Sequence, residues 1–323
     1  MGYNGYEVQR LFDSEHREDS CHKQETKNVK ENTMSACLKR LGTDFVALMV
    51  LGLVTSSMGS VALGARDGQG DPPAIRPMPR NDENSKIAHA QLVEKTKQGQ
   101  VDIYFEGDSI TRRWGSLDYP DLLANWKENF FGWNAADFAW GADTVQNILW
   151  RKQNGELDNV KPKIFVLMAG TNNVGSWPPR GDDDPRIAQV TAGIEAIIKE
   201  FQTTAPEATI ILTGIFPRND SRRDPTGVMP IINAINKNLA VIAEDNEKIR
   251  YININDKLAD ADGNLYDGMT MDRLHPTMKG YQIWADALKP IFTEILGPPA
   301  DEDHAPPATG DPSAMSRIRQ SND

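Results

Sequence analysis

The chain has 323 residues, of which 39% are hydrophobic and 25% charged, enough for one sizeable core or two small ones. Its net charge of −11, without a basic stripe carrying interleaved aromatics, excludes a nucleic-acid groove as the main business. Both cysteines, Cys21 and Cys37, lie near the N-terminus without a Cys-x-x-Cys pair, which excludes zinc ribbons and disulfide frameworks.

Residues 1–33 are polar and unpatterned, and read as lying upstream of the true start. Residues 34–65, "MSACLKRLGTDFVALMVLGLVTSSMGSVALGA", read as a secretory signal peptide. Lys39 and Arg40 form its positive region, and the apolar run Phe45–Val54 is too short to span a bilayer. Ser60 and Ala62 suit cleavage after Ala62, with Ala65 as the alternative site. The expectation is a secreted or periplasmic protein without stable membrane insertion after cleavage. A buried helix or an uncleaved anchor is the competing reading.

Residues 66–80 are Gly/Pro-rich and read as a linker, and residues 298–323 are Pro-rich and polar and read as a disordered tail. Between them, residues 81–297 make one domain of alternating signals. Ile87–Lys97 is helix-like and Val101–Phe105 is a first strand. Ala135–Ala139 is a weak second strand, followed by helix over Val145–Arg151. Ile164–Ala169, "IFVLMA", is continuously apolar, as a central parallel strand should be. Pro185–Phe201 carries Ile187, Val190, Ile194, Ile197, Ile198 and Phe201 at helical spacing. Thr209–Ile215 is a buried strand, Met229–Ala243 a helix, Tyr251–Ile254 a short strand and Met278–Leu296 a closing helix. The alternation predicts an α/β sandwich on a five-stranded parallel sheet. Ligands in such folds bind beyond the carboxyl ends of strands, which singles out Ser109, Ala142, Asn172 and His275.

Ser109 sits in "FEGDSITRRW", just after the first strand, where it can cap a helix or act as a nucleophile. A serine nucleophile needs a base, and the base needs a partner to fix its tautomer. Of the five histidines, His16 and His22 precede the signal segment, His304 is in the tail, and His89 lies on the first helix, read as surface. His275 remains, in "MDRLHPTMKGY", with Asp272 three residues before it. Pro276 keeps His275 out of the helical region, and Thr277 can cap the closing helix. In "AGTNNVG", Asn172 can serve as a turn residue or as a neutral amide donor to an oxyanion. Asn173 reads as structural and Asp108 as a backbone acceptor. In "AWGADTV", the backbone N–H of Ala142 can supply a further donor. Trp140 and Trp177 flank these segments; each can stack on a sugar, line an acyl pocket or simply pack. The carboxylates Asp182–Asp184 read as solvated rather than as a Ca²⁺ site.

"GDSI" (107–110), "GAD" (141–143), "GTNN" (170–173) and "DRLH" (272–275) resemble the four blocks of the SGNH, or GDSL-type, hydrolases. The stretch "ILWRKQNGELDNVKPKIFVLMAGTNN" (148–173) is similar to the catalytic subunits of platelet-activating-factor acetylhydrolase and their bacterial relatives. The resemblance implies a flavodoxin-like three-layer α/β/α sandwich and acyl-ester hydrolysis without metal or other cofactor. It implies Ser109 as nucleophile, His275 as base and Asp272 as its orienter, with the N–H groups of Ser109 and Ala142 and the side chain of Asn172 as the oxyanion hole. Close relatives carry Gly-Gly-Asp where this chain has Gly141-Ala142-Asp143, so the added methyl narrows the hole. The expected substrate is a short-acyl ester of a carbohydrate, and the runner-up is a lipid or aryl ester. A non-catalytic glycan-binding protein is the rival from another class.

Overall fold

A computed structural model describes residues 75–313 except residue 182. The segment read as a signal peptide, and residues 1–33, lie outside the described residues. Strands β1 (Ile103–Gly107), β2 (Ala135–Asp137), β3 (Ile164–Met168), β4 (Thr209–Thr213) and β5 (Ile249–Ile252) form one sheet in the order β2-β1-β3-β4-β5. Every neighbouring pair is parallel, with Ile103 opposite both Ala135 and Ile164, and Ile164 opposite Thr209. Parallel strands need crossovers, and helices supply them on both faces. The expected flavodoxin-like three-layer α/β/α sandwich with a five-stranded parallel sheet is what the chain forms.

Alternation along each strand divides the core. Tyr104, Phe165, Leu167, Ile210 and Leu212 face one layer. There they meet α4 (Val145–Gln153), α6 (Pro185–Thr204) and α7 (Met229–Glu244), with Leu92 of α1 (Glu83–Lys95) joining them. Ile103, Phe105, Val166 and Met168 face the other layer. That layer is built from α2 (Ser109–Gly115), α3 (Pro120–Phe130) and α9 (Met278–Leu296). Two further short helices, α5 (Thr171–Val174) and α8 (Asn255–Leu258), lie between these elements in the chain.

The second layer positions the site. Tyr281, Trp284, Leu288 and Phe292 form the buried stripe of α9. Trp114 of α2 stacks on Tyr281 and Trp284 with ring centroids 4.9 and 5.2 Å apart. Such contacts add about 0.5–1.5 kcal/mol each beyond simple burial. Tyr281 Oη also donates to the Ile110 carbonyl at 2.6 Å. The helix that begins at Ser109 is therefore fixed to the helix that follows His275.

Three local expectations differ from the structure. β1 and β5 are displaced by two residues from Val101–Phe105 and Tyr251–Ile254, because pairing rather than apolarity sets where a strand begins. Residues 298–313 are not a disordered tail but a strap laid over the domain. Trp133 Nε1 donates to the Gly297 carbonyl, and the N–H of Leu117 to the Thr309 carbonyl, at 2.9 and 3.1 Å. The Gln100 N–H donates to the His304 carbonyl, and the Gly132 N–H to the Asp303 carboxylate, at 2.8 and 2.6 Å. The last part of the expected 66–80 linker is docked too: the Met78 N–H donates to the Gln146 carbonyl at 3.0 Å.

Candidate active site

β1 ends at Gly107, a position where a side chain has no room. A Cβ would lie 2.3 Å from Thr111 Oγ1 and 2.6 Å from the Met168 carbonyl oxygen. Asp108 then caps α2: its Oδ1 accepts from the Ile110 N–H at 2.9 Å. Its second oxygen is buried without a protein partner, and burial pushes the carboxyl up to about 7. Ser109 is the first residue of the helix.

His275 is delivered by a tight turn. The Met271 N–H donates to the His275 carbonyl at 2.8 Å, and Arg273 takes a left-handed φ of 67° between them. Asp272 Oδ1 accepts from the backbone N–H of His275 and Leu274 at 2.8 and 3.2 Å. Its Oδ2 lies 2.7 Å from His275 Nδ1. Ser109 Oγ lies 2.9 Å from His275 Nε2, on the other side of the ring. An ionised carboxylate can only accept, so Nδ1 carries the proton and Nε2 is left to accept from the serine hydroxyl.

The charges around the ring set its protonation. Burial is the main influence on His275 and lowers its pKa, against the raising effect of Asp272; Arg113 and Arg218 lower it further. Burial acts to raise the Asp272 carboxyl, but its hydrogen bonds from His275 and the nearby Arg113 hold it below the ordinary value. Near neutral pH the pair is thus a neutral imidazole beside a carboxylate, the state a general base requires.

Ala142 has a φ of 63°, a left-handed conformation costing a non-glycine residue about 1–2 kcal/mol. A Cβ built on neighbouring Gly141 would lie 4.0 Å from Ser109 Cβ, so the turn passes directly beside the serine. The N–H groups of Ser109 and Ala142 have no acceptor among the described residues. Asn172, on α5, donates one amide hydrogen to the Asp143 carbonyl at 2.8 Å, which leaves the second free. Asn173 is structural: its Oδ1 accepts from the Val145 N–H at the start of α4 at 2.9 Å.

Sequence reasoning missed the charged cluster beneath this turn. Arg151 donates through Nε to Asp143 at 2.7 Å, through Nη2 to Glu106 at 2.7 Å, through Nη1 to the Phe138 carbonyl at 2.9 Å, and to Glu156. Lys152 joins Glu106, Glu156 and the Tyr104 hydroxyl. His89 belongs here rather than at the surface, with Nδ1 2.8 Å from Glu156 Oε1. Burial raises Asp143 to about 6 against the pull of Arg151. One guanidinium thus binds β1, the exit of β2 and the turn at Ala142 together. The polar string "WRKQNGE" gives no sign of this, since charges are ordinarily solvated.

The two tryptophans separate. Trp140 is buried, donates to Ser85 Oγ at 2.8 Å, has the Arg112 guanidinium 4.8 Å from its ring centroid, and borders a small cavity shared with Arg80, His89, Trp150 and Arg151. Trp177 is 67% exposed, in the loop that follows α5. Arg186 holds that loop by donating to the carbonyls of Val174, Trp177 and Pro178 at 2.7, 3.0 and 3.0 Å. Asp184 caps α6 and pairs with Arg186. Among the described residues no group of three or more His, Cys, Asp or Glu is placed to hold a metal ion. Among them, too, no helix is long and apolar enough to cross a membrane.

A strand-end serine joined to a histidine and an aspartate on a 2-1-3-4-5 parallel sheet defines a class that comparison with known proteins makes explicit. The model of the GDSL-like lipase/acylhydrolase family matches residues 105–283, and the chain belongs to that family of serine ester hydrolases. Subunit alpha2 of platelet-activating factor acetylhydrolase IB from Rattus norvegicus is 30% identical over 217 residues, 67% of this chain and 86% of the relative. A candidate acylhydrolase from Bacteroides fragilis shares the fold, with a TM-score of 0.50 at 20% identity over 67% of this chain and 99% of that one. A carbohydrate esterase of family 3 from Talaromyces cellulolyticus matches with a TM-score of 0.42 at 17% identity, over 60% of this chain and 97% of that one.

Proposed function

We propose that the protein removes short acyl groups, acetyl above all, from carbohydrate esters, with Ser109 as nucleophile, His275 as general base and Asp272 as its orienter. The observation that carries the chemistry is the hydrogen-bonded chain from Ser109 Oγ through His275 to Asp272, with spacings of 2.9 and 2.7 Å. In this reading Ser109 Oγ attacks the ester carbonyl as His275 Nε2 takes its proton. The new oxyanion is met by the N–H groups of Ser109 and Ala142 and by the uncommitted amide hydrogen of Asn172. His275 then protonates the leaving alcohol, and water repeats the sequence on the acyl-enzyme. Asp272 stays ionised throughout.

The carbohydrate part of the reading is supported by exposed Trp177 on the loop next to Asn172, since an aromatic face beside a polar site suits a sugar ring. The methyl group of Ala142 in the oxyanion turn favours a small acyl group. A lipid or aryl ester is the second reading. Tyr266, Met271 and Met278, close to His275 in the chain, are each nearly half exposed and would receive an apolar leaving group. The named activity of the rat relative, a platelet-activating factor acetylhydrolase, points the same way. Export is part of the proposal and rests on residues 34–65; N-terminal sequencing of the mature protein tests it, and a chain starting before Met34 would overturn it.

Release of acetate from a panel of acetylated polysaccharides, beside p-nitrophenyl esters of increasing acyl length, tests the function. Acetyl-selective turnover with polysaccharide release supports the first reading, and preference for long acyl chains supports the second. Ser109→Ala should abolish turnover with folding intact. A folded wild-type protein with no turnover would leave the glycan-binding alternative.

A further inference from the structure

The turn bearing Ala142 is held from outside the segment that matches the family model. That model begins at residue 105, whereas the holding side chain is Arg80. Its Nη1 donates to the Gly141 carbonyl at 3.1 Å and to Asp143 Oδ1 at 3.3 Å, so one cation contacts the residues on either side of Ala142. Its Nε donates to Asp82 Oδ2 at 3.1 Å, and Asp82 itself caps α1 by accepting from the Ser85 N–H at 2.9 Å. Ser85 Oγ in turn accepts from Trp140, immediately before the turn, at 2.8 Å. Asn147 Nδ2 donates to the Met78 carbonyl at 2.9 Å. Residues 78–85 thus lie along residues 140–147 as a clasp, with Arg80 at its centre.

We propose that Arg80 is a positioning residue for catalysis, holding the Gly141–Ala142–Asp143 turn in the left-handed conformation that presents the Ala142 N–H to the oxyanion. The assignment rests on the oxyanion reading given above. A strained residue keeps its conformation only where its surroundings over-determine it. Glycine would hold φ near 63° without strain; alanine requires the flanking carbonyl and carboxylate to be pinned. Arg151 pins the Asp143 side chain and Asn172 its carbonyl, but among the described residues only Arg80 donates to the Gly141 carbonyl. Arg80 is therefore tied to the alanine: the same contact beside a glycine would matter less.

The test compares wild type, Arg80→Ala, Arg80→Lys, Ala142→Gly and the Arg80→Ala/Ala142→Gly double variant, with Ser109→Ala as control. The readouts are kcat and KM on p-nitrophenyl acetate and the melting temperature. Arg80→Ala is expected to lower kcat about tenfold with KM within about twofold, the signature of an interaction made in the transition state. Arg80→Lys, which keeps the charge but loses the planar fork, is expected to lose part of kcat. In the Ala142→Gly background, loss of Arg80 should cost less than about threefold. Equal losses in both backgrounds, a rise in KM at constant kcat, or unchanged kcat in Arg80→Ala would overturn the proposal. If Ser109→Ala retains turnover, the functional reading itself falls. If turnover depends on Ser109 but ignores Arg80, the clasp alone falls.

Discussion

Asp272→Asn separates the charge of the orienter from its shape. Asp272 Oδ1 accepts two backbone N–H groups, from His275 and Leu274. The carboxamide must therefore keep its oxygen toward the backbone and turn its NH₂ toward His275 Nδ1. Two donors cannot face each other, so Nδ1 becomes the acceptor and the ring proton moves to Nε2, where it blocks acceptance from Ser109. Losing that hydrogen bond costs about 1–3 kcal/mol. Loss of the charge beside the developing imidazolium adds about 1–4 kcal/mol at a separation near 4 Å, for effective dielectrics from water to protein surface. Asp272 is 46% exposed, which favours the lower part of that range. Together they give about 3–4 kcal/mol, a fall in kcat/KM of about 10²–10³. The assay is kcat/KM on p-nitrophenyl acetate across about pH 5 to 9, with the melting temperature measured alongside. Because Asp272 raises the His275 pKa against burial, its neutralisation should also move the acid limb of the profile to lower pH. Activity within about tenfold of wild type, with an unmoved acid limb, would refute the tautomer argument.

Four further outcomes follow from the same contacts. Asn172→Ala should lower kcat by about 10²–10³ with KM little changed, measured in steady state. Arg151→Met should destabilise the fold by about 3–5 kcal/mol in urea titration, since Glu106, Asp143 and Glu156 are left buried without their shared cation. Asp108 holds a proton in the folded state between 3.8 and about 7 that the unfolded chain has lost, so it makes stability fall as pH rises through that interval. Asp108→Asn should therefore raise the melting temperature at about pH 8 and leave it unchanged at about pH 4, read by calorimetry. Truncation after Gly297 removes the acceptors of the Gln100, Leu117 and Gly132 N–H groups and should cost about 2–4 kcal/mol in urea titration.

Much of the site was legible because it is local. Ser109 at a strand end, Asn172 after an apolar run and Asp272 three residues before His275 are short patterns whose geometry follows from strand and turn rules. Ala142 was legible as an alanine in a glycine block, although its φ of 63° needed the structure. What escaped is what depends on distance. α3 starts with Pro120 and buries Leu122, Leu123, Trp126 and Phe130, a helical spacing present in the sequence but passed over. The Arg151 cluster escaped because charged side chains look solvated until partners from other elements surround them. The strap escaped because composition cannot register single contacts: its prolines and acids suggested disorder, yet Asp303, His304 and Thr309 each meet a specific backbone group. Trp140 adjoins the site through its backbone, whose N–H donates to the Gly107 carbonyl, while its ring is turned to Ser85 and Arg112, a direction the sequence does not show.

The distance along the chain between Ser109 and His275, 166 residues, also bears on how the protein is made. Ser109 and His275 are brought together by α9, whose Trp284 and Tyr281 pack on Trp114 of α2. Each strand pair in a parallel sheet must also close a long loop, and folds dominated by such non-local contacts form slowly. A ribosome that has delivered Ser109, the turn at Ala142 and Asn172 has therefore produced the proposed nucleophile without its proposed base. Under the proposed roles, ester cleavage then waits until the segment from Asp272 through α9 has been made and has docked, so that partly folded chains carry the serine but not the reactivity.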